Sequence, residues 1–208
     1  MLYEPPVLFT QRMSKLDQLT GCRLGWNVVT GYLDSTEKAN GNAAQPSHDE
    51  RYGRADDYMD VVYKLWEQSW KQDPVRQDRQ CRIYSHPASV HSIDHSEPYS
   101  GLSAPHLCAP SPQRTPVLYQ AGASDRGRFF AARHIECVFV MGLSKEALSG
   151  VVRALREALP AEGRAPYSIR ILAGINVIVS ETVAAARDTF DEYRRYASPE
   201  ADLAPLPL

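Results

Sequence analysis

This sequence predicts an α/β fold with a parallel sheet, and two observations carry the expectation. The apolar runs "VLYQA", "CVFV" and "IRILAGINVIVS" alternate with helical stretches at residues 125–134, from Ser144 onward and at 182–196. Earlier in the chain, the β-branched run "RLGWNVVTGY" precedes a long helical stretch in the same order. Strand and helix in alternation imply right-handed βαβ units, with ligands at the carboxyl ends of the strands.

Residues 5–19 place Phe9, Met13 and Leu16 on one helical face, with prolines at the start where a helix tolerates them. Residues 23–32 read as a strand buried on both faces. Residues 33–47, "LDSTEKANGNAAQPS", are polar and rich in turn formers, so a long loop is expected. Helical period returns over 49–70, where Ala55, Met59, Val62 and Trp66 recur at spacings of four, three and four. Residues 71–114 are broken by prolines and read as an insertion, in which "SVHSIDHSEPYS" alternates as a small hairpin. The helix beginning at Ser144 carries Leu148, Val151, Val152, Leu155 and Leu159 inward.

Composition narrows the partners. With 208 residues the chain holds one ordinary core, and 23 Lys+Arg against 25 Asp+Glu give no basic field for nucleic acid and no polybasic run for an anionic membrane. A small-molecule ligand is therefore expected. Two prolines interrupt "MLYEPPVLFTQRM" where a signal peptide needs an apolar core, and no stretch reaches transmembrane length, so the expected location is the cytoplasm. Cys22, Cys81, Cys108 and Cys137 stand apart with no CxxC pair and read as reduced, structural thiols. His86, His91, His95 and His106 fall in the proline-broken insertion without a carboxylate pattern, so no metal site is expected. Trp66 and Trp70 fit core packing.

A strand at 117–121 followed by a helix from Asp125 makes Gly122, Ala123 and Ser124 a βα turn at the carboxyl edge of the sheet. The N–H groups of a first helical turn and the helix dipole favour an anion there, and Gly and Ala let it approach closely. Arg126 and Arg128 add charge nearby. The plainer alternative is that Ser124 only caps the helix.

Four blocks then carry a resemblance over about residues 3–198: "YEPPVLFTQRMSKLDQLTGCRLGWNVVTGYLDS", "HDERYGRADDYMDVVYKLWEQSW", "PHLCAPSPQRTPVLYQAGASDRGRFFAARHIECVFV" and "ILAGINVIVSETVAAARD". They resemble the bacterial-luciferase-like FMN-dependent monooxygenases, in the branch of nitrilotriacetate, EDTA, dibenzothiophene-sulfone and long-chain alkane monooxygenases. The resemblance implies a (β/α)8 barrel, reduced FMN delivered by a separate flavin reductase, and oxygenation of a small organic substrate with dioxygen. It also implies that Ser124 binds the FMN phosphate, that Tyr52 and His48 reach the phosphate and ribityl chain, and that Gly31 and Tyr32 flank the flavin. Asn27 and Thr30 become strand-end neighbours, though Asn27 reads equally as a hydrogen-bonded core group.

Only four barrel strands and an insertion hairpin are expected, so the resemblance covers a partial TIM barrel over residues 1–198, with 71–114 inserted and 199–208 an irregular tail. Three strands before Met1 and the closing strand would be missing, leaving open edges. Two alternatives to a working monooxygenase stay open: a non-catalytic FMN- or phosphate-binding remnant, and an assembly subunit completed by a further copy or another barrel half.

Overall fold

Parallel pairing of four short strands organises the chain, seen in a computed structural model that describes residues 3–198 apart from Tyr32, Ala123 and Leu143. Helix α1 (Pro6–Thr20) leads into β1 (Gly25–Val28), a short α2 (Asp34–Ala39) and α3 (His48–Tyr63), which continues as a π-helical turn over Lys64–Gln68. Two small hairpins follow, β2 (Val75–Asp78) with β3 (Ile83–Ser85) and β4 (Ile93–Ser96) with β5 (Gly101–Ala104). The chain then runs through β6 (Val117–Ala121), α4 (Asp125–His134), β7 (Cys137–Val140), α5 (Lys145–Ala158) and β8 (Arg170–Ala173), and later α6 (Val183–Tyr196). The sheet order is β1-β6-β7-β8, every pair parallel, with α3, α4 and α5 supplying the crossovers in sequence.

Two compact units divide between Ala173 and Gly174. The second unit contributes α6, which Thr182 caps by accepting the Ala185 N–H at 3.1 Å. In the first unit, Ala55, Met59, Val62 and Trp66 are all buried, as their spacing predicts. Phe9, Trp26, Tyr58 and Trp66 form one aromatic cluster that joins α1, α3 and β1. Each fully buried large side chain of this kind stabilises the fold by about 1.5–3 kcal/mol.

Several expectations are corrected. The strand at 23–32 is shorter and is covered on one face only: Trp26 and Val28 are buried, whereas Gly25 and Asn27 are exposed. Asn27 is therefore no core polar group. The same alternation runs across the sheet, since Leu118, Gln120, Val138 and Val140 are buried beneath helices while Phe139 and Leu172 on the other face are 41% and 42% exposed. The long apolar run at 169–180 pairs only over Arg170–Ala173, because β7 offers just four residues to pair with. Residues 33–47 contain a six-residue helix, held by buried Glu37, which accepts from Tyr3 and Asn42. The tail at 199–208 and Tyr32 lie outside the described residues.

The insertion is stitched to the core by polar contacts; the stretch "SVHSIDHSEPYS" supplies only the first strand of its hairpin, whose second strand is Gly101–Ala104, and a further, unexpected hairpin precedes it. Arg114 donates to the carbonyls of Trp66, Trp70 and Lys71, satisfying groups that a helix end leaves unpaired. His95 is buried and bonded to Asp57 at 2.8 Å. His106 is buried against Ser14 at 3.1 Å, and its Nδ1 has no partner. Among the described residues no cluster of His, Cys, Asp or Glu could hold a metal ion, and no helix is long and apolar enough to cross a membrane.

Burial, with a smaller contribution from the Lys15 charge, lowers the His106 imidazole from 6.5 to about 4. The unfolded chain takes up this proton near its ordinary value and the folded chain only near the lowered one. Stability is thus full at neutral pH and falls as pH drops from 6.5 towards 4, by up to about 3 kcal/mol. Urea unfolding at a series of pH values checks this: His106→Gln should flatten the slope in that window, and an unchanged slope contradicts it.

Candidate functional site

The carboxyl ends of β1 and β6 meet through the register Val28↔Gln120, which brings the Gly31 loop and the Gly122–Ser124 turn out along one edge of the sheet. Gly31 has φ +79°, a left-handed conformation that a side chain strains, and a Cβ there would stand 3.4 Å from the Tyr3 hydroxyl. Helix α3 starts at the same edge, with Ser47 capping it by accepting from the Glu50 N–H. The first turns of α3 and α4 are therefore neighbours.

Ser124 does cap α4, accepting the Gly127 N–H at 3.1 Å. The plainer reading of the sequence holds as geometry, and it leaves the hydroxyl proton for another partner. That partner is His48, whose Nε2 lies 3.2 Å from Ser124 Oγ. His48 Nδ1 lies 2.9 Å from an Asp49 carboxylate oxygen, which can only accept, so Nδ1 carries a proton, and in the neutral ring Nε2 accepts from Ser124. This Ser-His-Asp line has the spacing of an activated nucleophile. Asp49 is 81% exposed, however, and Ser124 Oγ is held by a backbone N–H, so the line orients groups at the turn and gives no shielded nucleophile.

Tyr52 is buried one turn further along α3, its ring 5.1 Å from His48 and 5.5 Å from Phe130. Its hydroxyl is wedged between strand end and helix start. A Cβ on Gly127 would lie 2.8 Å from Tyr52 Oη and 2.9 Å from Ser124 Oγ, and one on Gly122 would lie 3.4 Å from Tyr52 Oη. A side chain at 127 would therefore have to displace the Tyr52 or Ser124 hydroxyl. Ser124, His48 and Tyr52 stand together here, and register places Gly31 at the same edge.

The arginines behave differently from expectation. Arg126 pairs with Asp56, with its guanidinium 5.5 Å over the Tyr52 ring, and Arg128 pairs with Asp125. Burial raises the Asp56 carboxyl, but hydrogen bonds from His134 and Arg126 outweigh it and hold the group below its ordinary value. Both guanidiniums are committed to carboxylates in the protein itself. A cavity of about 470 Å³ lined by Tyr3, Arg54, Tyr58 and Tyr99 lies against α3 and includes neither Ser124 nor His48.

Two contributors escaped the sequence reading, Gly127 and Gln120. Gln120 is buried, donates from Nε2 towards Tyr52 Oη at 3.2 Å and the Gly127 carbonyl at 3.3 Å, and leaves its Oε1 without a partner. The available signal was a lone amide inside the apolar strand "VLYQA".

Known proteins share this arrangement of elements. The family model described as luciferase-like monooxygenase matches residues 1–206. The long-chain alkane monooxygenase of Geobacillus thermodenitrificans (strain NG80-2) is 48% identical over 202 residues, covering 97% of this chain and 46% of the relative. The dimethyl-sulfide monooxygenase of Hyphomicrobium sulfonivorans is 43% identical, covering 97% and 42%. A crystal structure of a riboflavin lyase with modified FMN and riboflavin superposes with TM-score 0.88 at 43% identity, covering 95% of this chain and 44% of that one. The chain spans about half the length of the relatives it matches, and the expected α/β part-barrel of four parallel strands stands.

The glycine at 127 yields a test of the packing. Ala is the better helix former by about 1 kcal/mol, whereas forcing a methyl into a filled space costs about 1–3 kcal/mol. Gly127→Ala should therefore lower stability in urea unfolding, and adding Tyr52→Phe should restore part of the loss by removing the nearest atom. A variant as stable as the parent contradicts the close approach.

Proposed function

This chain belongs to the luciferase-like monooxygenase family, and we propose that it is the flavin-phosphate-binding part of a monooxygenase that uses reduced FMN and dioxygen to oxygenate a small organic substrate. The observation that carries the reading is the meeting of Ser124, His48 and the Tyr52 hydroxyl at the N-terminus of α4, just after the small residue Gly122. A phosphate suits such a place: small residues admit it, N–H groups and the α4 dipole favour its charge, and hydroxyls donate to it. Ser124, Tyr52 and the first turn of α4 would hold the phosphate, His48 the phosphate and ribityl chain, and Gly31 and Tyr32 would flank the ring. When bound, reduced FMN supplies the electrons that activate dioxygen. A separate flavin reductase delivers it, and the four free thiols suit the reducing cytoplasm where such a reductase works.

The bare sheet face favours a second reading for the chain by itself. Asn27, Phe139 and Leu172 on that face are exposed to water. Exclusion of water protects reactive intermediates from hydrolysis and leakage. By itself the chain then binds flavin without coupled oxygenation, as a remnant or as a subunit completed by a further copy or another barrel half.

Ser124→Asp sets a carboxylate where the phosphate is placed and should weaken FMN binding by at least about 2 kcal/mol. Titration of FMN against riboflavin reads it: equal affinity of the variant and the parent for FMN puts the phosphate elsewhere. Supplied with reductase, NADH and FMN, the chain should consume oxygen only as free reduced FMN does, with hydrogen peroxide as product. Product formation coupled to NADH in the presence of catalase contradicts the second reading and leaves the first.

A further inference from the structure

Gln120 is the polar exception on the covered face of the sheet, 2% exposed between the buried Leu118 and the turn at Gly122. An apolar residue would fill that position without leaving a carbonyl oxygen unpaired, as Gln120 Oε1 is. Its amide nitrogen explains what the residue does there. The Gly127 carbonyl, 3.3 Å from Nε2, can only accept, so it is the amino group that faces it. The second N–H of that group points to Tyr52 Oη at 3.2 Å. The Tyr52 oxygen is thereby an acceptor, and its own proton must leave in another direction.

No acceptor for that proton stands among the described residues. The hydroxyl lies 3.4 Å from where a Cβ on Gly122 would stand and 2.8 Å from where one on Gly127 would, so it borders the turn and the start of α4. We infer that Gln120 is a positioning residue: by donating to Tyr52 and to the Gly127 carbonyl it ties α3 to the first turn of α4 and turns the Tyr52 proton towards an anionic ligand in the Gly122–Gly127 cradle. The inference rests on the phosphate-binding reading above and adds to it the residue that makes Tyr52 a donor. Gln120 touches no ligand. It acts through Tyr52, and so sets how strongly the site prefers a phosphate-bearing flavin over the same flavin without phosphate.

Replacing the amide by a carboxylate in Gln120→Glu reverses the bond, since the new side chain would accept the Tyr52 proton and face the Gly127 carbonyl with no donor. The experiment measures FMN and riboflavin affinity by flavin fluorescence for the parent chain, Gln120→Glu, Tyr52→Phe and the double variant, with circular dichroism to confirm folding. Gln120→Glu should lose about tenfold in FMN affinity and nothing in riboflavin affinity, and Tyr52→Phe should then cost no more in that background. A purely electrostatic or structural role leaves the Tyr52→Phe penalty intact in the double variant, which overturns the inference. If the parent prefers FMN and folded Gln120→Glu keeps that preference, the role of Gln120 fails while the phosphate site stands. If the parent binds FMN and riboflavin alike, the phosphate reading fails and takes this one with it. Should Gln120→Glu not fold, Gln120→Met keeps the volume and removes both N–H groups: a reduced preference for FMN supports the role, and an unchanged one overturns it.

Discussion

The absence of a side chain at Gly127 is the constraint on which the rest of the site depends. A Cβ there would stand 2.8 Å from the Tyr52 hydroxyl and 2.9 Å from Ser124 Oγ, so with the helices at their observed separation a side chain would have to displace these groups. That separation lets Ser124 meet His48, lets Gln120 reach both helices, and brings two helix starts to one edge of the sheet. Elsewhere the same helix pair is locked by charge, with Asp56 on α3 bonded to His134 and Arg126 on α4. Packing holds the helices close, and the polar ties fix their register.

The sheet carries the second constraint. Its helix-covered face is filled by Trp26, Val28, Leu118, Val138 and Val140, whereas the other face leaves Phe139 and Leu172 in contact with solvent. Tyr119 and Phe139 stack at 5.7 Å on that open side, so apolar rings line it. A layer that buries only one side of a parallel sheet is half of the usual arrangement. The turn at Ser124, where the proposal puts a phosphate, is by contrast built from β6, α4 and α3. Binding and chemistry are separable in such a design, because the anion cradle is local and the shielding of the reacting atoms is not.

Much of this was legible in the sequence, and the reasons differ from element to element. Strands 117–121 and 137–140 and the helix at 125–134 were readable because Gly, Ser and charged residues punctuate short apolar runs. The run at 169–180 misled, since an apolar stretch says nothing about how far its neighbour extends to pair with it. Burial on both faces was expected for 23–32 because its run is apolar and β-branched, yet exposure is set by what covers the sheet. At the site, Ser124 was visible as a turn residue, while Tyr52 and His48 came from the resemblance alone. Gln120 and Gly127 were silent as functional residues, because their part depends on distances between two helices far apart in sequence.

The central proposal is that the start of α4, with Ser124 and the Tyr52 hydroxyl beside it, holds a phosphate, in a chain that spans about half the length of the relatives it matches. Amide chemical shifts test that claim most directly. With 15N-labelled chain, titration with FMN should move the amide signals of residues 124–128 at concentrations where riboflavin leaves them in place. Signals that stay fixed with FMN, or that move equally with riboflavin, would contradict it.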